Sequence, residues 1–383
     1  MMPRLTAYHL SFKSGLHIGQ GAESLGETLS HLPADTLFAA LVHTWRHLGE
    51  NIEVWLKPFT QEPPNPPFRL TSGFPFVGGV RFYPMPVDLS SLFLPQTLRD
   101  ARYGKNLKRI RYLSEGLVHK AQAGENLDTY LFPPDENEEP DRGVALQGGT
   151  LWLLKDEVEQ LPGSLRNLKN GVKRSLRALR FMSIWQEQEV PRVTVNRIHQ
   201  GSTIYHSARI VFAPGAGLWF GVEWLRPEEE IRPNLSFKAG FEHGLKTLEQ
   251  QGLGGERTSG YGAFEVTRTE EITLAYPQAG QRGLLLSRYH PRGPEEVAAS
   301  LQPADSAYAL VAVSGWLHSV GQAAQRRKRI WLIGEGSLIL WTDRPVLGDL
   351  PDVRPEYNSQ TFPHPVYRYG LALAIGWPGT KQA

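Results

Sequence analysis

The stretch QGLGGERTSGYGAFEV, residues 251–266, places five glycines within the eleven positions 252–262 and one arginine, Arg257, at their centre. Glycine accepts positive φ and lets a backbone approach another chain closely, while outward N–H groups beside an arginine can meet phosphate oxygens. The chemistry such a loop could do is therefore the binding of an anion. Two nucleotide-binding signatures are excluded. A dinucleotide fingerprint needs a third glycine where Arg257 stands, and this loop follows a predicted helix and precedes a predicted strand, the reverse of the Rossmann order. A P-loop needs Gly-Lys-Ser/Thr, and the loop holds no lysine. The plain alternative is a glycine-rich helix stop followed by a tight turn.

Further cationic stretches fit a polyanion. RNLKNGVKRSLRALR (166–180) carries Arg166, Lys169, Lys173, Arg174, Arg177 and Arg180 without one acid, and KNLKRIR (105–111) adds Lys105, Lys108 and Arg109 among its basic groups. Each phosphate neutralised releases counterions, so local patches can bind RNA despite a net charge of only +2; equally, 166–180 can be a solvated helix face. In VPRVTVNRIHQ (190–200) the alternation of Val193 and Val195 predicts a strand, with Arg192, Thr194 and Asn196 on its opposite face. QRRKR (325–329) either touches RNA or a partner subunit, or keeps a hairpin soluble. His43 and His47 stand at i and i+4, a spacing that lets two imidazoles share a metal, but HTWRH lacks the metalloprotease glutamate and a third ligand, so no metal site is expected.

These residues need elements to position them. RLTAYHLSF (4–12) predicts an opening strand and ADTLFAALVHTWRHLG (34–49) a helix, with Asp35 as N-cap and Gly49 as stop. Residues 51–100 read as proline-rich and irregular, and PPDENEEPD (133–141) as a solvated loop tip. Strands at 208–214 and 218–224, a helix at 237–251 and a strand after the glycine loop complete a βαββαβ order interrupted by a long insertion, about 51–205. A linker-like YPQAGQRG follows, and strands near 283–289, 307–316, 336–341 and 366–376, with a helix opened by Pro294, repeat the order. The expected class is α+β, with two ferredoxin-like (RRM-like) βαββαβ domains at 1–272 and 282–383. The absence of cysteine removes disulfides and thiolate sites. No stretch approaches eighteen apolar residues and the N-terminus lacks a leader pattern, so a cytoplasmic protein without a membrane partner is expected.

GYGAF resembles the RNA-recognition-motif signature one residue out of register. GLGGERTSGYGAF as a whole resembles the glycine-rich loop of RAMP proteins, the ferredoxin-like RNA-binding superfamily of CRISPR systems. SGLHIG (14–19), PADTLFAALVHTW (33–45), SGFPFVGGVRFYPMPV (72–87), KNLKRIRYLS (105–114), LLLSRYHP (284–291), GWLHS (315–319), GEGSLI (334–339) and HPVYRYGLALAIG (364–376) narrow the likeness. In that order they are similar to the fourth subunit of Csm-type (type III-A) CRISPR effectors. The resemblance implies a noncatalytic, cofactor-free subunit that binds the repeat-derived 5′ tag of the guide RNA. Its implied partners are the large polymerase-nuclease subunit and a neighbouring backbone RAMP subunit. On this reading Gly252, Gly254, Gly255 and Gly260 cradle the guide backbone with Arg257, Ser259 and Tyr261. His17 and Gly19 face the tag, and an inserted hairpin brings Arg192, Asn196 and Arg197 beside it; equally, His17 can hydrogen-bond nearby backbone and the hairpin residues can be the ordinary polar face of an edge hairpin. Residues 115–190 do not align to the family pattern. His364, Tyr367 and Arg368 are either packing or subunit contacts.

Two other classes compete. Related RAMP proteins cleave precursor guide RNA without metal, using side chains such as His, Tyr and Lys, and this chain has twelve histidines, His199 and His206 among them. A pure scaffold would instead leave the basic patches solvated.

Overall fold

Alternation along the opening strand, Arg4–Phe12, divides the molecule. Leu5 and Ala7 point to one face, Tyr8 and Leu10 to the other, and the two pairs are buried in separate apolar clusters. A strand covered on both sides belongs at the centre of a layered fold. The computed structural model places it there; the structure describes residues 4–19, 26–168, 170–195, 202–317, 325–355, 362 and 364–379.

Arg4–Phe12 pairs antiparallel with Phe264–Thr273 on one side and Ala216–Trp224 on the other. Beyond Ala216–Trp224 come Phe68–Leu70 and Phe74–Val77, and the sheet continues through Val80–Pro84, Tyr112–Ser114, Leu151–Leu154 and Gly143–Leu146. Tyr112–Ser114 and Leu151–Leu154 are parallel, so the sheet is mixed. Helices Ala34–His47 and Phe237–Gln251 cover the face that holds Tyr8, Leu10, Leu218 and Phe220. Two glycines inside the second helix let it pack closely against Trp45 of the first and Trp55 of the helix Ile52–Thr60 that follows it. A Cβ on Gly240 would meet Trp55 at 2.4 Å and one on Gly244 would meet Trp45 at 2.5 Å. Each glycine costs about 1 kcal/mol of helix propensity. In return the two indoles stack at 3.9 Å between the helices.

Elements between residues 51 and 100 differ from expectation. The stretch holds helix Ile52–Thr60 and three strands of the main sheet. Phe68–Leu70 and Phe74–Val77 are buried at every position, so neither shows the alternation that marks a half-exposed strand. Asp35 is a second departure. Pro33 occupies the N-cap position, while the Asp35 carboxylate, 1% exposed, accepts from Arg288 Nη1 at 3.2 Å and Arg368 Nη1 at 2.7 Å.

Residues 166–180 do not form one basic helix. Two single turns, Gly163–Arg166 and Leu176–Leu179, stand apart, Lys169 lies outside the described residues, and the described cations are engaged within the chain. Arg166 and Lys173 both bind Glu159, Arg177 donates to the Asn137 carbonyl, and Arg180 bonds Asn106 Oδ1 at 3.0 Å. The acidic tip at 133–141 is largely exposed as expected, but it supplies Glu136 and Glu139 to this network.

In the C-terminal part, Arg282–Leu285 pairs with both Leu338–Leu340 and Ala374–Trp377. Pro294 opens helix Pro294–Ser300, as its position predicts. Only the end of 366–376 is strand. Leu284, Leu338, Leu373, Ile375 and Trp377 share one apolar cluster with Phe82, Leu113 and Trp152 of the inserted region. The insertion therefore contributes to the main core.

Candidate nucleic-acid interface

Helix Phe237–Gln251 starts at Ser236, whose hydroxyl accepts from Ala239 N, and stops at Gly252 with φ of 78°. The chain then folds against residues 14–19. Leu253 N donates to Gly262 O at 2.9 Å, Gly255 N to His17 O at 2.9 Å and Gly262 N to Gly15 O at 2.8 Å. Contact is close enough to demand glycine at 254, where φ is 85° and a Cβ would lie 2.2 Å from His17 O. The loop's last turn, Arg257–Ser259, follows Glu256 in the left-handed region. Among the described residues, no acceptor takes the N–H of Gly254, Glu256 or Arg257. Consecutive unpaired N–H groups around a left-handed residue form an anion-binding concavity.

Opposite the loop runs the small-residue face of helix Ala34–His47. Thr36, Ala39, Ala40 and His43 form one wall of a cleft of about 290 Å³; Ile18, Gly19, Gly252, Gly254, Gly255 and Arg257 form the other, and Arg327 reaches in from the C-terminal part. Among the described residues, two guanidiniums and an imidazole line it and no carboxylate does. Arg327 is partly buried, its Nε has no partner, and burial together with nearby Arg368 pushes its pKa down to about 9. It remains charged at neutral pH. Partial desolvation, then His47, Arg257 and Arg46, lower His43 below the usual imidazole value, so it is neutral at pH 7. His47 and His43 lie with their Nε2 atoms 3.1 Å apart. The cleft is cationic and unsaturated in hydrogen bonds, which suits a phosphate group.

Gly19 lines this cleft and Arg257, Ser259 and Gly260 are exposed around it. His17 does not face solvent. It is 5% exposed and its Nδ1 lies 2.7 Å from Ala208 O, so it positions the loop from beneath. Tyr261 is buried below the turn, and two guanidiniums lie over its ring, Arg192 at 5.2 Å and Arg209 at 5.6 Å. Arg192 belongs to strand Trp185–Val195, which pairs along its length with Ser202–Phe212 in a long hairpin. A bridge from Leu16 to Ile210 holds that hairpin beside the loop. Asn196 and Arg197 lie outside the described residues. Lys105, Lys108 and Arg109 are exposed on helix Ala101–Arg109, away from the cleft lining, and Arg109 pairs with Glu136 at 3.7 Å.

His43 is a cleft residue that sequence reasoning did not assign to a nucleic-acid site, whereas Arg327 belongs to the 325–329 run for which contact with RNA was one of the alternatives. A signal for His43 existed: Thr36, Ala39, Ala40 and His43 recur at helical spacing as a face too small and polar for the core.

Proteins of CRISPR systems share sequence or fold with this chain. Residues 278–377 match the family model of the CRISPR Csm4 C-terminal domain. The CRISPR system Cms protein Csm4 of Mycobacterium tuberculosis is 34% identical over 189 residues, 47% of this chain and 55% of that protein, so the match spans about half the relative's length. The protein of the same name from Thermococcus onnurineus is 27% identical over 261 residues, covering 65% and 76%. A chain in the crystal structure of the Csm3-Csm4 subcomplex of the type III-A CRISPR-Cas interference complex shares the fold with a TM-score of 0.60 at 15% identity, covering 98% of this chain and 99% of that one. A chain of the Csm1-Csm4 cassette in complex with cA4 follows at a TM-score of 0.51 and 16% identity, covering 98% of both. The chain is thus similar to Csm4 proteins in sequence, over its C-terminal part and about half of a curated relative, and in fold over nearly its whole length.

Proposed function

We propose that this chain is a noncatalytic RAMP subunit of a cytoplasmic type III-A CRISPR effector that binds the repeat-derived 5′ tag of the guide RNA. It docks the large polymerase-nuclease subunit on one side and a neighbouring backbone RAMP subunit on the other. The observation that carries the reading is the cleft between helix Ala34–His47 and the glycine loop, lined by Arg257, Arg327 and His43 and, among the described residues, by no carboxylate. The strand order Phe264–Thr273, Arg4–Phe12, Ala216–Trp224, Phe68–Val77 with two helices on one face supports a ferredoxin-like N-terminal domain. The C-terminal part is read as its second copy. Relatives of the same fold occur in a Csm3-Csm4 subcomplex and a Csm1-Csm4 cassette, which supports the two partners.

In this reading the free N–H groups of the loop and the two guanidiniums take phosphate oxygens, and Arg192 on the hairpin closes over Tyr261 beside the strand. Backbone contacts of this kind set position, and base-edge contacts set sequence. The test is fluorescence anisotropy with an RNA carrying the repeat tag and a scrambled control, across a salt series, for the wild type and Arg257→Ala. Tag-dependent binding, weakened by the substitution with a salt slope lower by about 1, supports the reading. Equal binding of both RNAs by both proteins overturns it, and metal-independent cleavage of the RNA would replace it with a processing nuclease.

A further inference from the structure

Arg327 reaches the cleft from a β-ribbon whose outer surface the guide reading leaves unused. Leu310–Val313 pairs with Ile330–Ile333, and Trp316–Leu317 with Gln325–Arg326. Arg327 N bonds Gly315 O at 2.9 Å between the two pairings, so these short strands form one ribbon. Trp331 is 54% exposed and Trp316 44%. Each indole carries a guanidinium: Arg329 lies 5.3 Å from the Trp331 ring centroid, and Arg326, the cross-strand partner of Trp316, lies 5.2 Å from its ring. Residues 307–333 include Arg326, Arg327, Lys328 and Arg329 and not one Asp or Glu.

Two exposed indoles on one ribbon, each beside an arginine, have the chemistry of a stacking track. Bases stack on aromatic rings whatever their sequence, and the flanking cations follow the phosphates. A neutral apolar protein surface would have to desolvate the cations without repaying them. The ribbon is also continuous with the cleft, because Arg327 lies in the short link between strands Gln325–Arg326 and Ile330–Ile333 and lines the cleft wall. We propose that single-stranded RNA leaving the cleft continues across this ribbon, with bases stacked on Trp316 and Trp331. The proposal rests on the guide-RNA reading of the cleft and extends it to a second contact surface.

The test compares binding of a short RNA of about four nucleotides and a longer one of about twelve to the full chain. In the wild type the longer RNA binds more tightly. Trp316→Leu with Trp331→Leu is expected to lose roughly tenfold or more of affinity for the longer RNA and to leave the short one unchanged, and the corresponding double Phe variant to recover most of the loss. Leu and Phe variants that both bind the longer RNA as the wild type does would overturn the stacking track and leave the indoles to a protein partner or to shielding the ribbon. Arg257→Ala separates the two readings, since it should weaken both lengths; if it weakens neither, the cleft reading fails while the indole effect is still measured. Photocrosslinking of 4-thiouridine RNA to the wild type needs no variant. Adducts on peptides containing Trp316 or Trp331 are expected, and adducts confined to other peptides would overturn the proposal.

Discussion

Asp35 and Arg368 are 333 positions apart in sequence and 2.7 Å apart in the structure, the carboxylate accepting from Nη1. Arg288 bonds the other oxygen of the same carboxylate, and its Nε lies 3.4 Å from Glu335, itself bonded by the Ser72 hydroxyl at 2.6 Å. A buried charge network thus ties the first helix to the C-terminal part. Removing one partner of such a group leaves uncompensated charge, at a cost of about 3 to 5 kcal/mol. Asp35→Ala should lose that much in urea denaturation. A helix N-cap in its place would lose only about 1 kcal/mol.

Gly254 and Gly260 have nearly the same backbone angle, φ of 85° and 81°, but different surroundings. A methyl at 254 collides with the His17 carbonyl, whereas at 260 it meets nothing within 4 Å. Gly260→Ala should cost only the left-handed strain of about 1 to 2 kcal/mol and keep RNA affinity. Gly254→Ala must displace the loop from residues 14–19, and its RNA affinity should fall severalfold in the same anisotropy assay.

Charge in the cleft titrates at both ends of the pH scale. Binding of an anion should strengthen as pH falls through the lowered His43 titration, below the ordinary imidazole value of 6.5. It should weaken as pH rises through about 9, where Arg327 loses its proton. His43→Gln should abolish the acid-side gain and leave the alkaline loss intact, as read from RNA affinity against pH.

His9 makes the fold acid-sensitive. Burial, then Arg268 and Arg81, pull its pKa down to about 3, and its Nε2 accepts from Arg268 at 2.8 Å, which requires a neutral ring. Since the unfolded chain protonates this group near 6.5, the unfolded state binds the extra proton between about 6.5 and 3. Stability should therefore fall with pH in that window, with a contribution of about 1.4 kcal/mol per unit from this residue. His9→Gln keeps an acceptor for Arg268 and should flatten the difference in unfolding free energy measured between pH 6.5 and 4.

The glycine loop and its preceding helix were legible because their punctuation is local. Ser236 and Gly252 mark the two ends of the helix, and positive φ restricts the loop to few residue types. Phe68–Leu70 and Phe74–Val77 were hidden because burial on both faces erases alternation, and the prolines around them mimic loop text. The basic residues at 166–180 suggested an open face because their partners Glu136, Glu139 and Glu159 come from earlier segments. His43 shows the same limit at the site. Its spacing to His47 was visible, but Arg257 across the cleft comes from the other end of the domain, and only folding sets them together.

The bonds that hold the cleft open to solvent close very long stretches of chain. His17 meets Ala208 at a separation of 191 positions, Leu16 bridges Ile210, and Gly15 receives the N–H of Gly262. Such closures are entropically costly and form late relative to local helices and hairpins. A nascent chain that has not yet delivered residue 262 has one wall of the cleft and nothing to face it. On the guide-RNA reading, capture of the strand would be deferred until most of the polypeptide has been made, and abortive fragments would be left without a competing grip on it.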